Sequence, residues 1–179
     1  MGRPVHTDFE YSWQNPSLFC IDELDNGNPG ITTCMNSALA NGRVTFRSGA
    51  GLTRRHSDWA CVVTGNTNGT GPTLDFVERN PIGPATLDRF EMVFVGYDEK
   101  LEEFLALRYW DDPEARRWID LVRDYRSRCN DAKILKHFTP RASMSGVRML
   151  RSGISWDKVV EYRITSSLSA DEIVTLETR

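Results

Sequence analysis

The chain has no C-x-x-C pair, three histidines and only four lysines, and no apolar run that approaches the ~20 residues needed to span a bilayer. Cys20, Cys34, Cys61 and Cys129 are widely spaced, so neither a zinc knuckle nor a disulfide framework is implied. His6, His56 and His137 lie too far apart for a helical ligand pair, which argues against a transition-metal site. The N-terminal stretch Met1-Gly2-Arg3-Pro4-Val5-His6 lacks the apolar centre of a signal peptide. With no span and no leader in view, a cytoplasmic location is the default expectation and no membrane partner is implied. A strong positive charge is also missing: the net charge is −3, which argues against a dedicated nucleic-acid binder. The basic pairs Arg54-Arg55 and Arg116-Arg117 read as solvated faces or as isolated phosphate contacts. None of Lys100, Lys133, Lys136 and Lys158 follows a glycine, so a G-x-x-x-x-G-K-S/T phosphate loop occurs nowhere in the sequence.

What remains is a chain of 179 residues, 40% hydrophobic and 26% charged, enough for one domain or one plus a small appendage. Its most telling feature is Asp22-Glu23 at the end of the apolar run Leu18-Phe19-Cys20-Ile21. A strand buried on both faces reads as a short continuous apolar stretch, with Cys20 and Cys61 as small core residues of two such strands. Ionised carboxylates at a strand end need a cation or a donor to offset lost hydration. In nucleotide hydrolases the first such carboxylate holds Mg²⁺ and the second polarises the attacking water. The same string is also the form of an ordinary strand end followed by a helix cap.

Further along, Asn28 to Leu39 carries Pro29 in a first-turn position and Ile31, Met35, Ala38 and Leu39 at helical spacing, which predicts a helix ending near Asn41-Gly42. Arg43-Val44-Thr45-Phe46 and Leu52-Thr53-Arg54-Arg55 flank Ser48-Gly49-Ala50-Gly51, the pattern of a β-hairpin. Trp59-Ala60-Cys61-Val62-Val63-Thr64 reads as a second buried strand that delivers Asn66. In an open parallel sheet, ligands bind beyond the carboxyl ends of the strands, so Asp22, Glu23 and Asn66 share one site if their strands are neighbours. Asn66 also serves as the start of a turn-rich connection, Asn66 to Pro72. Pro84 opens a short helix ahead of Asp88-Arg89, and Met92-Val93-Phe94-Val95 reads as a strand. A change from alternating elements to helices marks a boundary near Gly96. Helices are expected over Glu99 to Tyr109, over Pro113 to Cys129 with Asp111 and Asp112 at its start, from Thr139-Pro140 to Gly153, and after the capping-box string Ser169-Ala170-Asp171-Glu172.

The order Leu-Phe-Cys-Ile-Asp-Glu, a helix and hairpin, Val-Val-Thr-Gly-Asn-Thr, then Ala-Thr-Leu-Asp-Arg-Phe resembles the AAA+ ATPases, in particular the dynein-related branch with the MoxR-type and cobalt-chelatase-type proteins. The resemblance runs from about Gly2 to Leu105 and more loosely beyond. It implies an α/β fold: a partial P-loop NTPase core with a parallel sheet and a pre-sensor β-hairpin over residues 1–97, and an all-helical lid over 98–179. It further implies that Asp22 and Glu23 are the Walker B pair, Asp22 as the Mg²⁺ partner through coordinated water and Glu23 as the base. Asn66 matches the first sensor. Arg89 matches the arginine finger inserted into a neighbouring subunit's site, although within its Asp-Arg pair it can instead neutralise Asp88. Arg141, at the start of a lid helix, matches the second sensor or is a plain surface arginine. ATP and Mg²⁺ are the implied cofactors, and a homo-oligomeric ring or intact AAA+ subunits, acting on an unidentified protein client, the implied partners.

The missing phosphate loop is the main departure from that pattern. Without its backbone N–H groups and lysine, the β- and γ-phosphates lose their main countercharge, so ATP hydrolysis by these residues alone should be very weak or nil. The chain then corresponds to the C-terminal part of a ring motor. The alternative is a non-catalytic interaction module that assembles with intact AAA+ subunits. A metal-dependent nuclease using Asp22, Glu23 and Asp25 is a weaker third reading, because nothing else here supplies the carboxylates of a two-metal site.

Overall fold

A computed structural model describes residues 6–49, 51–74 and 76–178. The chain divides into two compact units, Met1–Val93 and Phe94–Arg179, and is mixed α/β, the strands among the described residues lying in the first.

The first unit opens with helix α1 (Asp8–Gln14), whose N-terminus Thr7 caps by accepting a hydrogen bond from the Glu10 N–H at 3.2 Å. Strand β1 (Ser17–Ile21) follows, then a single 3-10 turn (Leu24–Asn26) and helix α2 (Pro29–Asn41). Asn28 caps α2, Pro29 takes the first turn, and Gly42 ends it with φ 59°, a left-handed conformation that glycine adopts without penalty. Strands β2 (Arg43–Phe46) and β3 (Gly51–Arg54) pair antiparallel, with Arg43 opposite Arg54 and Phe46 opposite Gly51. Of the turn expected between them, Ala50 lies outside the described residues. Strand β4 (Trp59–Val63) pairs parallel with β1, Ser17 opposite Trp59 and Ile21 opposite Val63. Short helix α3 (Pro84–Leu87) closes the unit.

Aromatic packing holds these pieces together. Trp13 is fully buried against Trp59 in an edge-on contact, ring centroids 4.9 Å apart, and Phe9, Phe19 and Phe46 complete the cluster. Such edge-to-face pairs each add about 0.5–1.5 kcal/mol beyond the area they bury.

Two expectations fail here. The strands are not buried on both faces: β1 alternates between half-buried and exposed positions, Leu18 is 66% exposed, and Cys20 is exposed while Cys61 is half-buried. Among the described residues the sheet has two strands, and α1 with the aromatic cluster covers only the face carrying Phe19 and Cys61. Burial pushes the Cys61 thiol up to about 11, with Cys20 adding to it. The run Met92 to Val95 is not a strand either. It has no pairing partner among the described residues, and Val95 is 91% exposed; an apolar run becomes a strand only where a neighbour satisfies its backbone.

The second unit is helical: α4 (Glu99–Leu107), α5 (Pro113–Ala132), α6 (Pro140–Arg151), α7 (Trp156–Arg163) and α8 (Ala170–Glu177). Asp98, Asp112, Thr139 and Ser169 cap four of them through side-chain oxygens, and Ser169 with Glu172 forms a full capping box. Trp118, Ile119, Val122, Val147, Val159, Ile164 and Leu176 form the core. Gly146 is a packing requirement, since a Cβ there would lie 2.0 Å from the Trp118 indole.

Candidate functional site

The parallel pairing of β1 and β4 brings their carboxyl ends side by side, and the hydrogen bonds continue past the last paired residues. The Thr64 N–H donates to the Ile21 carbonyl and the Leu24 N–H to the Thr64 carbonyl, each at 2.9 Å. Asp22 and Glu23 therefore lie next to Thr64, Gly65 and Asn66. The Thr64 hydroxyl bridges the two acids, donating to Asp22 Oδ1 at 2.5 Å and accepting from the Glu23 N–H at 2.9 Å.

Glu23 has φ 51° and ψ 53°, a left-handed backbone that is uncommon for a residue with a side chain. Its Oε2 accepts hydrogen bonds from Arg79 Nη1 at 3.2 Å and Asn26 Nδ2 at 3.3 Å. The Arg79 hydrogen bond first, then that of Asn26, holds the Glu23 carboxyl below the ordinary range. Glu23 is thus an exposed, ionised acid tied to a guanidinium.

Behind it, Asp25 is fully buried. Its Oδ2 accepts from the N–H groups of Asn66 and Thr67 and from the Thr67 hydroxyl, each at 3.0 Å. Asn66 is consequently fixed through its backbone while its side chain stays exposed. The segment after the loop returns to the same place: the Asn80 N–H donates to the Asp25 carbonyl at 2.7 Å.

Arg89 follows α3, exposed, with its guanidinium turned back on the Ala85 carbonyl. The helix beneath it is anchored where Asn36 Nδ2 of α2 donates to the buried Thr86 hydroxyl at 2.8 Å. Arg141 belongs to the second unit, exposed in the first turn of α6, where its N–H donates to the Thr139 cap.

Asp22, Glu23 and Asn66 are brought together at one sheet end. Sequence reading gave no place to Arg79 or Asn26 and named Asp25 only as a nuclease carboxylate. Arg79 stands 56 positions from Glu23, so no local spacing announces it; the third acid of Asp-Glu-Leu-Asp was visible.

Among the described residues no group of three or more His, Cys, Asp or Glu side chains is placed to hold a metal. Asp22 is exposed and gives one oxygen to the Thr64 hydroxyl, so it would reach a Mg²⁺ ion only through the ion's own water. ATP by itself does not fit these residues, because no phosphate-binding loop is present to cradle it.

The fold defines the chain as a mixed α/β protein, and no helix among its described residues is long and apolar enough to cross a membrane. No protein-family model matches it, and no match was found among the curated proteins.

Proposed function

We propose that this chain is the Walker B, first-sensor and lid portion of an AAA+ ATPase of the dynein-related, MoxR-type branch. It contributes half of a Mg-ATP site and hydrolyses ATP when a phosphate loop is supplied from outside these residues. The observation that carries the reading is the parallel pairing of β1 with β4, which sets Asp22-Glu23 beside Asn66 at one sheet end. In this reading Asp22 would hold Mg²⁺ through coordinated water, Glu23, once released from Arg79, would polarise the attacking water, and Asn66 would orient it. Arg89 acts in the neighbouring subunit of a ring and Arg141 on the nucleotide phosphates.

The test joins this chain to an N-terminal half of the family that carries the phosphate loop. ATP turnover is expected to appear, and Glu23→Gln to abolish it while sparing nucleotide binding. Turnover unchanged in the Gln variant would sink the role of Glu23, and no turnover in any joined form would sink the reading.

The second reading, a module that assembles with intact AAA+ subunits without hydrolysing ATP, is favoured by the uncovered sheet face, where Leu18 and Val62 are 66% and 46% exposed. It expects co-purification with an intact homologue and no turnover after joining.

A further inference from the structure

Asp25 has no part in the function just proposed, yet it is among the most constrained acids of the first unit. A buried carboxylate is costly unless its oxygens are partnered. Its Oδ2 takes three hydrogen bonds from Asn66 and Thr67. Its Oδ1 is buried and takes none; it faces Arg79 Nη1 at 3.6 Å, an ion pair beyond hydrogen-bond reach. The same Nη1 donates to Glu23 Oε2 at 3.2 Å, and the Arg79 side chain is only 12% exposed.

We propose that Asp25 is the positioning residue of this site: one carboxylate oxygen holds the loop that presents Asn66, and the other steers the Arg79 guanidinium that engages Glu23. Glu23 and Asn66 are singled out on the function proposed above, whereas the Asp25–Arg79–Glu23 relay is a property of the network itself. A neutral acceptor suffices to hold the loop. The negative charge is needed only for Arg79, and that difference separates a positioning role from a purely structural one.

Asp25→Asn in the full chain exploits it. The Asn side-chain oxygen keeps the three loop donors, which turns its NH₂ group onto Arg79, donor against donor. Two readouts by ¹⁵N NMR are needed: hydrogen exchange at the Asn66 and Thr67 amides, and the rotation rate of the Arg79 guanidinium about its Cζ–Nε bond. We expect loop exchange close to that of the unmodified chain and Arg79 rotation faster by about tenfold, the scale of coupling within one hydrogen-bond network. Unchanged Arg79 rotation overturns the proposal. So does exchange at Asn66 and Thr67 that rises as much as the rotation, which is what a merely structural acid produces.

Arg79→Gln approaches the relay from outside the buried position and serves even if the Asp25 variant does not fold. It leaves the Asp25 carboxylate charged and buried with no cation facing Oδ1, a cost that the neutral Asn variant does not incur; Asn66 and Thr67 exchange should therefore rise by about threefold or more, and unaltered exchange overturns the relay. Neither measurement contains nucleotide. Their failure removes the relay and leaves the ATPase reading standing, whereas absent turnover in the joined protein removes that reading and leaves the relay.

Discussion

Each unit buries an acid beside arginine, and the two acids are satisfied to different degrees. Glu102 of the helical unit is 1% exposed and accepts from Arg126 Nη2 at 2.7 Å, Arg126 Nη1 at 3.1 Å, Arg123 Nε at 3.4 Å and the Ser143 hydroxyl at 2.6 Å. Both its oxygens are engaged, and its partners join α4, α5 and α6. Asp25 is as deeply buried but leaves Oδ1 without a hydrogen bond, beside an arginine shared with an exposed acid. A closed polar network fixes one arrangement of a core, while an open one keeps a partner free to change. The network around Glu102 thus reads as scaffold, whereas the one around Asp25 keeps a group able to change partners.

The largest effect should come from opening the closed network. Glu102→Ala leaves the Arg126 guanidinium without its counter-ion, and breaking a buried pair in this way costs roughly 3–5 kcal/mol. Urea unfolding followed by circular dichroism measures it; a loss under 1 kcal/mol would erase the distinction between the two acids. Next in size is Gly146→Ala, whose methyl overlaps the Trp118 ring. Overpacking of that kind costs about 3 kcal/mol, and a near-wild-type midpoint would refute the tight α5–α6 contact.

Acid offers a gentler probe of the same network. Burial alone would raise the Glu102 carboxyl, but hydrogen bonds from Arg126 and Ser143 and the charges of Arg126 and Arg123 outweigh it, so the group lies below its ordinary value of 4.5. A folded value below the unfolded one contributes stability that is complete above about 4.5 and is lost as the pH falls through the folded value. Unfolding midpoints should therefore drop on acidification below that point, and Glu102→Gln should flatten this part of the profile. An unaltered slope in the Gln variant would assign the acid sensitivity to other carboxylates.

Legibility in the sequence followed the range of the forces involved. Capping signals act over three or four residues, so Asn28, Asp112, Thr139 and Ser169 mark their helices, and the hairpin reads directly from its turn. Helix α1 escaped although Thr7 and Glu10 carry a cap signal, and α7 has only eight residues to display a period. Met92 to Val95 misled because apolar character predicts burial, while a strand also needs a neighbour. Asp22 and Glu23 directly follow β1 and Asn66 lies in the loop after β4, so their proximity was legible once the two strands were read as neighbours. Arg79 was not, since its contact with Glu23 depends on the path of a long loop, and the half-open state of Asp25 emerges only once that loop is folded over it.

The smallest expected effect sharpens the comparison from the strand side. Leu18 and Val62 lie on the uncovered face of a parallel pair, although parallel sheets normally have both faces packed. If that face is bare in the isolated chain, Leu18→Thr should shift stability by no more than about 0.5 kcal/mol, as surface changes do. The same change at a covered position would cost several times more through lost burial. Thermal unfolding of the variant distinguishes the two. A loss well above 1 kcal/mol would mean that the face is already packed, and the reading of the chain as an assembling module would lose the observation that favours it.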